Sequence, residues 1–349
     1  CDATSNFESS GPVGGPFTPA STNYTLQNLN AAWYRTFETW DEVDPPRFGT
    51  ILTYTDYIDW KNYISDKLAQ DLGLKSAAVK EVVPEGVTTS HSAGPGLFSK
   101  PGWSGTPDDR KMSDSVDFYG ASIYPKHAWT LRPWSPYYRA AGMDFVRSMG
   151  LENQGFYIGE LQAGYGVFGM KMSYPVVGAD LRDWMWSAVA YGARAVNIYA
   201  YYPMSTGYEA GGYGLVELDG KVTERAEAGG RVARTITANK DLFLNALPAR
   251  AEIAILYNPL SHMVGGQQAY TGEGQTIGVN NLSESLQGVH RAFFERNIPV
   301  DFARPAEDLA GGLALVFVHQ LRINFNHQLC FVVFFNGLFD FQFRSSLQY

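Results

Sequence analysis

At 349 residues the chain is long enough for two domains and an ample buried core. Its formal net charge of −8, with no block of Lys or Arg, argues against nucleic acid or an anionic membrane as partner. Aromatic residues make up 14% of the chain; many Tyr and Trp fall near predicted strand ends, where such rings suit the C–H faces of sugars, although ordinary core packing accounts for most of them.

In chain order, Tyr57, Trp60, Ile64, Leu68 and Leu72 recur at helical spacing, which predicts a helix that stops at Gly73. Strand signals follow around Gly86–His91 and again within Ser115–Pro125. A helix opens with Ser135 as cap and Pro136 in its first turn, carries the stripe Ala141, Phe145 and Met149, and ends at Gly150. The apolar run Gly155-Phe156-Tyr157-Ile158-Gly159 predicts a buried strand closed by Glu160 and opening into Leu161-Gln162-Ala163-Gly164. A carboxylate at such a strand tip either caps the strand and faces water or serves chemistry; in a β/α barrel that end carries the active site. A helix over about Asp180–Tyr191 and a strand over Ala195–Tyr201 complete the series, and strands alternating with helices imply a parallel sheet.

The pattern restarts after Pro248. Ala251–Tyr257 predicts a strand, a polar Gly-rich stretch leads to a helix near Leu282–Arg296, and Ile298–Phe302 reads as a further strand, together a second α/β unit of doubly wound type. From about Leu313 the chain is crowded with Phe and nearly free of charge, so residues 313–349 read as an atypical tail, foreign to the domain through a frame error or a truncated gene. Cys1 and Cys330 form no disulfide framework, and the six His residues show neither HxxxH nor HExxH spacing. No catalytic metal or other cofactor is therefore expected. No apolar stretch approaches the ~20 residues that span a bilayer. The chain begins at Cys1 rather than Met, so a natural N-terminus is expected upstream and the compartment stays open.

Several passages together resemble glycoside hydrolase family 42, the bacterial β-galactosidases. They are Leu29-Asn30-Ala31-Ala32-Trp33 with Trp40-Asp41-Glu42 and Pro45-Pro46-Arg47, then Ile123-Tyr124-Pro125, Gly159-Glu160, Asp180–Trp184 and Ala251–Tyr257. The resemblance covers about residues 24 to 312 and implies a retaining hydrolase of terminal β-D-galactosyl residues that works by double displacement with two carboxylates. It makes Glu160 the nucleophile after the seventh barrel strand. The acid/base of the family follows the fourth strand as an Asn-Glu pair, and the only Glu before Asn30 is Glu8, separated from Asn6 by Phe7. On the same resemblance Tyr124, Tyr202 and Glu209 bind substrate: Tyr124 at the nucleophile, Tyr202 where the family stacks a Trp on the sugar, and Glu209 on hydroxyls.

The fold so implied is α/β: residues 1–248 form the second half of a (β/α)8 TIM barrel, and 249–312 begin a flavodoxin-like domain of the kind that forms trimers. A β-galactoside is the expected substrate, and a homotrimer the expected assembly of a full-length parent. Half a barrel leaves open sheet edges, so the isolated chain is expected to be poorly soluble or inactive. Two alternatives stand beside this one: another β-glycosidase of the same clan with the same carboxylate logic, and a non-catalytic carbohydrate-binding or assembly protein.

Overall fold

The computed structural model describes residues 25–46, 55–99, 108–127, 133–150, 155–168, 171–249, 251–268, 270–271, 275–276, 281–304, 314–321 and 329–335. Among them, α1 (Leu26–Trp33) is capped by the Thr25 side chain, which accepts from the Asn28 backbone N–H. Next comes α2 (Thr55–Val82). This helix does not stop at Gly73. A Cβ there would find only the Ser115 Cβ, 4.0 Å away, so the position has room for a side chain and nothing forces a turn. A single glycine costs about 1 kcal/mol of helix propensity, too little to end a helix this long.

Four strands follow, β1 (Thr89–Ser92), β2 (Phe118–Ile123), β3 (Phe156–Gln162) and, after the short hairpin β4 (Val167–Phe168) and β5 (Lys171–Met172), β6 (Ala193–Tyr199). They form one sheet in the order β1-β2-β3-β6, every pair parallel. The connections carry α3 (Asp109–Ser113), α4 (Pro136–Met149) and α5 (Gly178–Ala190), and α6 (Glu224–Ala238) and α7 (Lys240–Asn245) follow the last strand. The fold is α/β with a parallel sheet. Among the described residues, β1 and β6 each pair on one side only.

A second sheet has the order β10-β7-β11-β12, from β7 (Ile253–Leu256), β10 (Val300–Ala303), β11 (Ala314–Leu321) and β12 (Leu329–Phe335). Between β7 and β10 lie α8 (Pro259–Gln268), the small hairpin of β8 (Tyr270–Thr271) and β9 (Gln275–Thr276), and α9 (Asn281–Phe294). β10 and β11 flank β7 in parallel, and β12 runs antiparallel to β11. Two strands of this sheet thus come from the Phe-crowded segment 313–349.

The two units meet on α4. Its sequence shows one apolar stripe, yet residues 139–146 are all buried, Arg139 and Asp144 included. One side packs on the parallel sheet; the other meets α9 and β10, with Phe145 edge-on to Tyr257 at 4.9 Å and to Phe302 at 5.4 Å. Phe145, Val146 and Met149 are 1–2% exposed, each such burial being worth about 1.5–3 kcal/mol. The polar residues of the second side pair within the helix and across the junction: Asp144 accepts from Arg147 at 2.7 Å on α4 itself and pairs with His290 at 2.8 Å, while Arg147 reaches Asp301 at 2.7 Å. Among the described residues no helix is long and apolar enough to cross a membrane.

Candidate active site

Glu160 is not the last residue of its strand; β3 continues through Leu161 to Gln162. Strict alternation from the buried Phe156 and Ile158 would turn Glu160 into the helix layer. The register with β6 shifts between Ile158 and Leu161, and a second shift lies opposite on β2 between Ala121 and Ser122. Leu161 therefore takes the core position and Glu160 leaves it, half-buried, with Ser122 as its register partner. Irregularities of this kind commonly re-aim a side chain beside a functional site.

Gly159 is needed for the same geometry. A Cβ at that position would lie 2.1 Å from Cγ of His91, whose ring stands over the strand. His91 Nε2 sits 3.7 Å from Glu160 Oε1, and His91 Nδ1 lies 3.2 Å from the Tyr157 hydroxyl. The other carboxylate oxygen, Oε2, accepts from the Tyr124 hydroxyl at 2.7 Å and from Ser122 Oγ at 3.3 Å. Burial, with the Glu160 charge adding to it, pushes the Tyr124 phenol far above its ordinary range, so it remains a donor at any working pH.

The loops after the strands are pinned to one another by polar contacts. The fully buried Gln162 accepts from the Lys126 backbone N–H at 2.9 Å and donates to Gly164 O at 3.0 Å. Lys126 Nζ reaches Asp180 at 2.7 Å, and Asn197 on β6 donates to Gly159 O at 3.0 Å. At the end of β6, the Tyr199 hydroxyl donates to Glu209 Oε2 at 2.7 Å. Burial, then the Glu209 charge, lifts that phenol to about 12.

The rings of Tyr124, Tyr199 and Tyr213 meet edge to face, with centroids 5.4–6.2 Å apart. Tyr124 is thus joined directly to Glu160, and Glu209 is joined to the same aromatic cluster through Tyr199. Tyr202 stands outside that ring cluster, exposed, with its hydroxyl on the Leu218 carbonyl. Glu8 lies outside the described residues. Asp117 takes no part in the cluster: it bridges Lys80 and Thr88, and those contacts hold its carboxyl down to about 2. Tyr199 and Tyr213 escaped sequence reasoning. Tyr199 carried a usable signal, as the last residue of a strand that runs parallel to the Glu160 strand.

Among the described residues no group of three His, Cys, Asp or Glu side chains is arranged to hold a metal ion. The arrangement offers one half-exposed carboxylate fixed by hydroxyl donors, a second carboxylate nearby on a loop, and aromatic walls with polar edges.

The model of glycoside hydrolase family 42, described as beta-galactosidase, matches residues 20–238, more than half of the chain. The chain belongs to that family. Glu160, Tyr124, Tyr199, Glu209 and Tyr213 all fall within the matched region. No curated protein sequence matches the chain. Among solved structures it is similar to the beta-galactosidase of the psychrophilic Marinomonas ef1, at 20% identity with a TM-score of 0.69, over 86% of this chain and 47% of that one. The beta-galactosidase of Bacillus circulans sp. alkalophilus gives 20% identity and a TM-score of 0.68, over 84% and 42%. That of the Antarctic haloarchaeon Halorubrum lacusprofundi gives 20% and 0.63, over 85% and 44%. The family 42 chain described here thus spans less than half the length of each of these structures, and at this identity they testify to its fold.

Proposed function

We propose that this family 42 chain carries the nucleophile half of a retaining β-galactosidase site. Glu160 attacks the anomeric carbon of a terminal β-galactosyl residue, the glycosidic bond breaks as the aglycone leaves with a proton from the general acid, and water then cleaves the resulting glycosyl ester with retention. The single observation behind this is the Glu160 carboxylate, turned out of the core by the strand irregularity and gripped by the Tyr124 hydroxyl at 2.7 Å. Tyr124 orients the carboxylate and leaves the opposite oxygen for attack. Glu209, held by Tyr199, accepts from sugar hydroxyls. Tyr202, exposed beside this end of the sheet, offers its ring to the sugar, and Glu8 is the general acid that becomes the base, about 5–5.5 Å from Glu160 in a retaining enzyme.

Four successive parallel strands with intervening helices support the second half of a (β/α)8 barrel for residues 1–248. The mostly parallel second sheet supports a flavodoxin-like unit that forms trimers in a full-length parent. A leaving group that needs no protonation tests the nucleophile without depending on Glu8. Full hydrolysis by the isolated half-barrel is expected to be poor, but with 2,4-dinitrophenyl β-galactoside the folded chain should release a burst of dinitrophenolate equal to the enzyme, followed by slow turnover, and Glu160→Gln should release none. Equal release from both proteins would sink the assignment.

A further inference from the structure

Tyr213 is 1% exposed, yet its φ of +64° lies in the left-handed region that side chains of its size seldom adopt. What holds it there is contact with all three loops of the site. Its backbone N–H donates to Tyr165 O at 2.9 Å, in the loop after β3, and its carbonyl accepts from Ala200 N–H at 2.8 Å, just after β6. Its hydroxyl lies 2.6 Å from Nε2 of His127, in the loop after β2, and the two rings stack at 5.9 Å. Burial holds the His127 imidazole below its ordinary value, which favours the neutral ring in this hydrogen bond. Gly166 closes over the pair; a Cβ there would come within 3.1 Å of His127 and 3.2 Å of Tyr213.

The ring of Tyr213 in turn meets the ring of Tyr124 at 5.7 Å, nearly perpendicular, and that of Tyr199 at 5.4 Å. Those two rings carry the hydroxyls that grip Glu160 and Glu209. We propose that Tyr213, locked by His127, is a positioning residue that sets both carboxylates at once, Glu160 through Tyr124 and Glu209 through Tyr199. The role of those carboxylates in sugar binding rests on the function proposed for the site; the geometric coupling does not.

Crystal structures and binding by the full chain test it separately. In Tyr213→Leu the Tyr124 hydroxyl should move beyond hydrogen-bond reach of Glu160; a retained contact near 2.7 Å would overturn the proposal, with no ligand involved. A galactose-configured imino sugar, whose cation pairs with the nucleophile carboxylate, supplies the second measurement. Tyr213→Leu should weaken its binding about tenfold, and by less than about threefold when Tyr124 is already Phe, because residues that act through one another do not add. Equal losses in both backgrounds would mark Tyr213 as a general packing residue and end the proposal. Tyr213→Phe keeps the ring and serves if the Leu variant does not fold: binding should fall about threefold as the His127 lock is lost, and unchanged affinity would count against it. If the unsubstituted chain does not bind the imino sugar at all, the sugar site fails while the crystallographic distance still decides the positioning.

Discussion

Two polar clusters in this molecule are built on opposite terms. At the junction of the two units, Arg147 pairs with Asp144 and Asp301 while His290 closes on Asp144, and the Asp144 and His290 side chains are 9% and 2% exposed. At the end of the parallel sheet, the Glu160 side chain is 32% exposed; among the described residues its hydrogen-bond donors are the hydroxyls of Tyr124 and Ser122, and His91 Nε2 lies 3.7 Å away. An ion pair spends the charge of a carboxylate on holding the fold together. Hydroxyl donors orient the carboxylate and leave its charge in place for a reacting carbon. On the function proposed above, the junction serves stability and the sheet end serves chemistry.

Substitutions can break that contrast. Glu160→Gln should lower the rate of glycosyl-ester formation by more than about a thousandfold, read in the dinitrophenolate burst. Its thermal unfolding midpoint should stay close to that of the unsubstituted chain, and a large drop would move Glu160 to the structural side. Asp144→Ala should do the reverse. It leaves the buried His290 without its carboxylate partner and Arg147 with Asp301 alone, at a cost of about 3–5 kcal/mol in chemical denaturation, with burst chemistry retained in the folded fraction. Gly159→Val should cost about 1–3 kcal/mol of stability, because its side chain enters the space of His91; loss of the burst without loss of stability would give His91 a chemical role instead.

A smaller effect sharpens the contrast from the junction side. Asp109 is fully buried, accepts from Tyr119 at 2.9 Å, and is pushed up to about 7 by burial, with Asp108 adding to the rise. The folded protein therefore keeps a proton that the unfolded chain, near 3.8, gives up. Its contribution to stability is whole below about 3.8, falls as pH rises, and is gone above about 7. Asp109→Asn should narrow the difference in melting temperature between pH 5 and pH 8 by roughly 5 °C. An unchanged difference would mean that the buried carboxyl is already ionised at pH 5.

The alternation of strands and helices was legible in the sequence because period and punctuation coincide: Ser135-Pro136 opens α4 and Gly150 ends it, as its pattern predicts. The long α2 was misread because one glycine looked like a stop where no tertiary contact required one. α6 was missed although Thr223 caps it; only Ala228, Gly229 and Val232 on it are buried, all three small or β-branched, so no run of large apolar residues marks the helix. Burial all round α4 was invisible, because the second face of that helix is covered by residues about 150 positions later. In the site, Glu160 could be singled out as a carboxylate near the tip of an apolar strand, and Tyr124 followed from the family resemblance. The irregularity that turns Glu160 outward, and the Tyr213–His127 contact at 2.6 Å, depend on register and on a loop that returns to the site 86 residues later. No local pattern carries that information.

Covalent labelling with 2-deoxy-2-fluoro-β-D-galactosyl fluoride puts the role of Glu160 to the most direct test. A carboxylate oxygen bonds to the anomeric carbon, the carbon–fluorine bond breaks, and fluoride leaves without needing a proton. Peptide mapping should place the added sugar mass on Glu160 alone. An unlabelled Glu160 peptide, or a label on a different carboxylate, would contradict the account.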